Sequence, residues 1–159
     1  MSANSIVPVS ALSGSFFTAT LAQNAGLAAR ILLPEAIGAG RNGMSIIRSI
    51  QVTSADQNDW EFWFWSNQGQ QQGGHPDLEG LLGFWSFTVA GGDGKRIGGA
   101  GNYYYYIDGL SIPYHDDDAH NQPSLGTFLN VTLVNRSAGA KTVNAWFQAV
   151  FGLEPTLGS

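Results

Sequence analysis

The residues best suited to hold a metal ion form the acidic run "HDDDAH" that follows Tyr114. Its three adjacent carboxylates, Asp116, Asp117 and Asp118, are hard oxygen ligands of the kind that Ca²⁺ takes, and the flanking histidines suit a transition metal. The run has neither the turn glycine nor the closing bidentate glutamate of an EF-hand loop. We therefore predict a solvated acidic loop and no required metal, with Asp116 and Asp118 as weak candidates for cation ligands.

The sequence contains no motif for nucleophilic catalysis or phosphate binding, although a glycosidase-style pair of carboxylates has no sequence signature by which to judge it. The chain has no cysteine and no Gly-x-Ser-x-Gly elbow, and no serine stands out beside a histidine. The glycine-rich stretch "GGDGKRIGGAG" lacks the Gly-Lys-Ser/Thr that leads a phosphate-binding loop into a helix. His75, in "GGHPD", fits an exposed loop. We predict that the protein is not an enzyme and uses no catalytic residue and no cofactor.

Glu61 is the one acid inside a strong strand pattern, the run "WEFWFWS". Successive side chains of a strand point to opposite faces of the sheet. The run therefore divides into two sets: Trp60, Phe62 and Phe64 on one face, and Glu61, Trp63 and Trp65 on the other. A face that carries a carboxylate is the less suitable core face. We predict that the uninterrupted apolar set packs the core and that the Glu61 face is covered by a loop, a second layer or another subunit.

A second aromatic run, "YYYYI", places Tyr104 and Tyr106 on one side of another strand. Exposed rings of this kind, and those of Trp63 and Trp65, could stack on sugar rings in a carbohydrate-binding module. Aromatic residues are also enriched at protein–protein interfaces, where charged residues are depleted. We favour the second interpretation and predict an interface that includes Glu61, Trp63, Trp65, Tyr104 and Tyr106.

The elements that position these residues are short β-strands. Runs of β-branched and aromatic residues with a period of two recur between Gly, Asn, Asp and Pro. The clearest are Gly43–Thr53, Trp60–Ser66, Phe84–Val89, Tyr103–Ile107, Thr127–Val134 and Thr142–Phe151, and weaker ones are Ile6–Val9, Ser15–Leu21 and Ala29–Leu33. In the first of these runs the alternation places Arg48 with the apolar Ile46, Ile50 and Val52, opposite Ile47.

Strands at this spacing, with long glycine-rich loops and little helix, predict an all-β fold: an antiparallel β-sandwich, jelly-roll-like in its topology. At 159 residues the chain is expected to form a single domain, 1–159. Residues 1–14 are predicted either to extend as an N-terminal arm that pairs with a neighbour or to form the first strand of the chain's own sandwich.

The amino-acid composition further limits the functions and partners that the chain can have. Charged residues make up 12% of the chain, against about 25% in average domains, and a surface so poor in charge favours self-association. The net charge of −5 argues against nucleic-acid binding, which needs a positive surface. No apolar stretch reaches the roughly 20 residues of a membrane-spanning helix, and no secretory leader pattern begins the chain. We expect a homo-oligomer with no nucleic-acid or membrane partner.

Three stretches resemble virion structural proteins of tailed phages: "RSIQVTSADQNDWEFWFWS", "RIGGAGNYYYYIDGLSIPYHDDD" and "LNVTLVNRSAGAK". The similar proteins are β-sandwiches that decorate or cement capsids. The resemblance implies a non-enzymatic protein on the surface of the phage head, assembled in the host cytoplasm, that bridges capsomers. It further implies a homotrimer whose other partner is the major capsid protein, with the predicted interface serving either contact. A carbohydrate- or host-receptor-binding β-sandwich, such as a fibre tip or lectin-like module, is the alternative.

Overall fold

The computed structural model describes residues 6–11, 19–34, 44–68, 80–97, 102–118, 126–143 and 147–156. These ranges contain β1 (Val7–Ala11), β2 (Ala19–Leu21), β3 (Gly26–Leu32), β4 (Ser45–Ser54), β5 (Trp60–Trp65), β6 (Leu81–Phe87), β7 (Lys95–Ile97), β8 (Asn102–Ile107), β9 (Ile112–Tyr114), β10 (Phe128–Asn135), β11 (Lys141–Val143) and β12 (Gln148–Pro155). The chain is nearly all β, as the sequence predicts.

The strands form two large antiparallel sheets. One has the order β1-β12-β4-β8-β7, with β9 also paired to β4, and the other has the order β3-β10-β5-β6. β8 and β9 pair with successive stretches of β4 and so share one position in the sheet. When β8 and β9 are counted as one strand and the short β2, β7 and β11 are left out, eight of the described strands remain. Numbered one to eight in chain order, they form one sheet of order one-eight-three-six, which faces a second sheet of order two-seven-four-five. This is the strand order of a double-sheet jelly roll.

The core lies between the two sheets and is rich in aromatic rings. Trp60, Phe62 and Phe64 are all fully buried, which confirms their assignment to the core face. Phe151 of β12 reaches across from the opposite sheet and meets the rings of Phe62 and Phe64 edge-on, at centroid distances of 5.6 and 5.5 Å. Tyr105 of β8 meets Phe87 of β6 in the same way at 5.6 Å. The other two faces of the sheets therefore point away from the core, on opposite sides of the molecule.

The prediction for the face of Arg48 is wrong, because β4 carries a β-bulge. Opposite β12, Ser49 pairs with Gly152 and Ile47 pairs with the next residue, Leu153, so that Arg48 is the extra residue. The alternation is reversed beyond this point, and Ile47 is fully buried. The Arg48 guanidinium turns outward and donates hydrogen bonds to Glu154 and to the Leu110 carbonyl oxygen.

Other sequence-based boundaries also change. The run Thr142–Phe151 was predicted as one strand, but it divides between β11, which pairs with β2, and β12. A further strand, β7, lies inside the glycine-rich stretch between the predicted strands Phe84–Val89 and Tyr103–Ile107, where the sequence analysis predicts none. Gly94 leads into β7 with φ +73°, and a Cβ there would lie 2.8 Å from the Tyr105 ring, so both backbone conformation and space require glycine.

Of the predicted N-terminal arm, the structure describes residues 6–11. β1 pairs with β12 of the same chain, with Val9 opposite Phe151 and Val7 opposite Leu153. Val9 is 4% exposed and belongs to the core. This stretch therefore forms the first strand of the chain's own sandwich, which was the second of the two alternatives, and the rest of residues 1–14 lie outside the described ranges.

Candidate functional site: two aromatic outer faces

The first candidate surface is the outer face of β3, β10, β5 and β6, which we call the tryptophan face. Residues directly opposite one another on paired strands point the same way. The register therefore sets a central row across the sheet, Ala28, Thr132, Trp63 and Phe84. The Trp63 and Phe84 rings lie 6.0 Å apart, and Phe84 is 56% exposed. The row ends in an aromatic side chain that is more than half exposed.

Glu61 lies one row away and is enclosed by donors. Its carboxylate accepts hydrogen bonds from Arg136 Nη2 at 2.7 Å, from Arg136 Nε at 3.2 Å and from the Ser86 hydroxyl at 2.6 Å. The Trp63 indole N–H donates to the same carboxylate. Burial by itself favours the neutral acid, but these hydrogen bonds and the charge of Arg136 outweigh it and hold the pKa of Glu61 below its usual value. Glu61 is therefore ionised at neutral pH and paired within its own subunit.

The two tryptophans of this face differ in exposure. Trp65 is 3% exposed, and its indole N–H donates to the Thr132 hydroxyl at 3.0 Å. Trp63 is half-buried, with its ring 5.9 Å from that of Trp65 and the Arg136 guanidinium 6.0 Å from its own centroid. Both residues lie on the predicted face, but Trp65 and Glu61 are covered within the subunit. Trp63 retains surface that a partner can reach. Of these three residues it is therefore the best candidate for a contact with a partner, and the assignment remains a prediction.

A second arginine, Arg30, lies on the same face as Arg136. The Arg30 guanidinium lies 3.9 Å above the centre of the Phe128 ring and 4.0 Å from an Asp118 carboxylate oxygen, and it also donates to Gln68. Leu32, at the end of β3 beside Phe128, is 60% exposed. The face thus combines exposed apolar side chains at its two edges with arginines that are already paired.

The second candidate surface lies on the opposite side of the sandwich, and we call it the tyrosine face. Tyr104 and Tyr106 of β8 point outward with their rings 6.1 Å apart and only 11° from parallel. Tyr106 is 50% exposed and lies opposite Gln51 of β4, while Lys95 of β7 lies opposite Tyr104. Partial desolvation, followed by the charge of Asp108, raises the pKa of the Tyr106 phenol. The five predicted interface residues therefore fall on two separate surfaces rather than on one.

The acidic run is a structural connection between the sheets. The Tyr114 hydroxyl donates to the Phe128 carbonyl at 2.5 Å and accepts from the Asn130 N–H at 2.7 Å, while Asp116 accepts from the Phe128 N–H at 2.8 Å. These groups satisfy the backbone of β10 at Asn130, where its pairing with β5 ends, and at Phe128 beyond that point. Burial raises the pKa of the Tyr114 phenol and that of the Asp116 carboxyl, and in each group hydrogen bonds from backbone N–H groups offset part of the rise.

Neither Asp116 nor Asp118 belongs to a cluster of three or more potential metal ligands within the described residues. Asp118 instead accepts a hydrogen bond from the Gln68 N–H at 2.8 Å, and His115 lies 3.3 Å from Asp117. His75 and His120 lie outside the described ranges. The described side chains thus give this run a role in joining the two sheets.

Several residues of these faces were not singled out from sequence. Phe84 lies in a predicted strand, yet its exposure depends on its being the outermost residue of the central row. Arg136 follows β10, 75 positions from Glu61, and the pair is brought together by the β5–β10 register. The signal that would have identified both residues is the pairing of strands, which alternation within each strand does not supply.

The strand order places the protein in the class of all-β jelly rolls. Neither the family models nor the curated proteins that we compared with the chain give a match. Among the described residues, no helix is long and apolar enough to cross a bilayer.

Proposed function

We propose that this protein is a non-enzymatic structural component of a phage virion, a decoration protein that self-associates as a trimer and bridges capsomers on the head. The observation that carries the proposal is the tryptophan face, which exposes Phe84 and Leu32 near a half-buried Trp63. Its two described arginines are paired with carboxylates of the same subunit. Large exposed apolar patches rimmed by polar groups are typical of protein-contact surfaces. The jelly roll is a fold of viral capsid and lectin domains.

The direct test is reconstitution. The purified chain is mixed with capsids of the phage that encodes it, prepared from a deletion strain that lacks the chain. We expect co-sedimentation at a fixed stoichiometry and a higher melting temperature for the decorated particles. A chain that does not appear in wild-type virions and does not bind the capsids would refute the proposal.

A second function is favoured by the near-parallel rings of Tyr104 and Tyr106. Pyranose rings stack on such aromatic surfaces, and the neighbouring Gln51 amide offers both a donor and an acceptor to sugar hydroxyls. In this alternative the tyrosine face binds a host carbohydrate. A glycan array separates the alternatives: specific binding that is lost in Tyr106→Ala would favour carbohydrate recognition, and a blank array would remove this candidate.

A further inference from the structure

We propose that the tryptophan face, and not the tyrosine face, is the surface on which a second copy of this chain docks. This inference rests on the self-association contained in the proposed function, but it goes further by assigning that contact to one side of the sandwich. Three properties of the described residues support it, namely charge, exposed apolar surface and rigidity, and the area of the face sets the affinity to be expected.

The first supporting property is the charge of the tryptophan face. Each copy carries a net charge of −5, so two copies repel one another unless they meet through surfaces that are locally neutral. On the tryptophan face the Arg136 guanidinium lies 2.7 Å from Glu61, and Arg30 lies 4.0 Å from Asp118. These two cations and two anions cancel within the subunit. These four groups therefore present no net charge to a second copy that docks over them.

The second supporting property is the exposed apolar surface of the tryptophan face. Phe84 on β6 and Leu32 on β3 are the two outermost hydrophobic residues of the sheet and are 56% and 60% exposed. Trp63 lies next to Phe84 in the central row, Ala28 on β3 forms the other end of that row, and both are partly exposed. Because Trp and Arg are over-represented among interface hot spots, the group of Phe84, Trp63 and Arg136 is a suitable centre for a contact.

The rings are also fixed before any partner arrives. The Trp63 indole N–H is bound to Glu61, the Trp65 indole N–H is bound to Thr132, and Arg136 donates to Asn24 at 2.9 Å as well as to Glu61. Side chains held in this way lose little conformational freedom on association. The face is therefore preorganised for docking.

The area of the face sets the expected strength. Four strands spaced at about 4.8 Å, with about six residues each at about 3.3 Å, cover roughly 400 Å², so a docked pair would bury on the order of 800 Å² in total. Specific stable interfaces bury about 1,200–2,000 Å². A contact through this face alone is accordingly expected at micromolar or weaker affinity, and closure of a ring or attachment to a shell would add to it.

The tyrosine face lacks the first of these properties. Lys95 has no salt-bridge partner among the described residues, and the exposed Asp108 carboxylate lies beside Tyr106 just after β8. Docking a second copy here would desolvate or oppose these groups. A hydrated surface of this kind is better suited to solvent or to a polar ligand.

Two exposed aromatics of similar exposure give a matched test. Phe84→Ser and Tyr106→Ser each remove one exposed ring, from opposite faces, and Ala28→Lys and Gln51→Lys each add one charge to the same two faces. Sedimentation equilibrium from about 1 to 200 μM, which spans the affinity expected from the area, measures self-association. Thermal melting checks that every variant is folded.

We expect Phe84→Ser and Ala28→Lys to raise the dissociation constant about 10-fold or more, with Tyr106→Ser and Gln51→Lys within about 2-fold of wild type. Loss of association in the tyrosine-face pair with none in the tryptophan-face pair would overturn this inference and leave self-association itself intact. Unchanged association in all four variants would overturn it as well. A wild-type chain that stays monomeric throughout would overturn both this inference and the proposed homo-oligomer.

Discussion

The ion pair between Glu61 and Arg136 should contribute measurably to folding, and the size of its contribution should depend on pH. Arg136→Met removes the guanidinium but keeps an apolar side chain near the Trp63 ring, which lies 6.0 Å from the guanidinium. The variant leaves Glu61, whose side chain is 11% exposed, with the donors of Ser86 and Trp63 but with no cation. Ionised Glu61 then has less compensation for its burial.

The expected loss lies between two limits. Breaking a fully buried pair costs about 3–5 kcal/mol, and an exposed pair contributes about 0–1 kcal/mol. The Arg136 side chain is 36% exposed, so solvent screens part of its charge, and we expect a loss of about 2 kcal/mol in the free energy of unfolding near neutral pH. Arg136→Lys is the control: it keeps the charge but cannot make both hydrogen bonds, so its loss should be smaller.

The pH dependence gives the discriminating result. The folded-state pKa of Glu61 lies below its unfolded value. The contribution of the pair is therefore fully present above the unfolded pKa of about 4.3 and is lost as the pH falls through the lower folded-state pKa. Urea unfolding of wild type and Arg136→Met from about pH 7 to about pH 2.5 should show two curves that converge at the acid end. An equal difference at every pH would refute the electrostatic account and assign the loss to packing against Trp63.

Four further predictions concern the core, the acidic run and the contacts. Phe62→Ala should lower the free energy of unfolding by about 3–5 kcal/mol, and because Trp65 is 3% exposed we expect Trp65→Ala to destabilise the subunit by a similar amount; a Trp65→Ala chain that melts like wild type but fails to assemble would contradict this. Tyr114→Phe should cost about 1–3 kcal/mol in urea unfolding, since the Phe128 carbonyl and the Asn130 N–H both lose their partner; an unchanged midpoint would mean that water replaces the hydroxyl. EDTA should leave the melting temperature unchanged, and a fall of many degrees would identify Asp116 and Asp118 as ligands. Bound protein should stay on capsids in about 1 M salt, where the Debye length is about 3 Å, whereas release by a salt wash would show that charge drives attachment.

Alternation within a strand was enough to predict how the central strand is oriented. In β5 the three residues of the apolar set are fully buried, and the carboxylate-bearing set faces outward. The prediction succeeds because a shift of one residue would move Glu61 into the core in place of Phe62, which neither packing nor desolvation permits. The strong period of β10 is preserved for the same reason, with Leu129, Val131 and Leu133 fully buried.

Alternation failed where a strand's geometry is set by distant partners. Arg48 is accommodated in a bulge because Glu154, Leu110 and Ser111 accept its guanidinium hydrogens, and the Leu110 N–H bonds to its carbonyl in return. These partners lie 62 or more positions away along the chain. A period of two carries no information about them. The reversed face of Ile47 and Arg48 could therefore not be found from the pattern of that strand.

The same limit applies to the candidate site, because sharing a face does not mean sharing its exposure. Trp65 and Phe84 both lie on the tryptophan face, yet one is 3% exposed and the other 56%. The difference arises from position in the sheet: Trp65 belongs to a central strand with neighbours on both sides, whereas Phe84 lies on the edge strand, where the row ends. A partner can contact Phe84 directly, whereas Trp65 is already covered by its own subunit. Substitution of Phe84 is therefore the sharper test of association, and substitution of Trp65 tests the subunit's own stability.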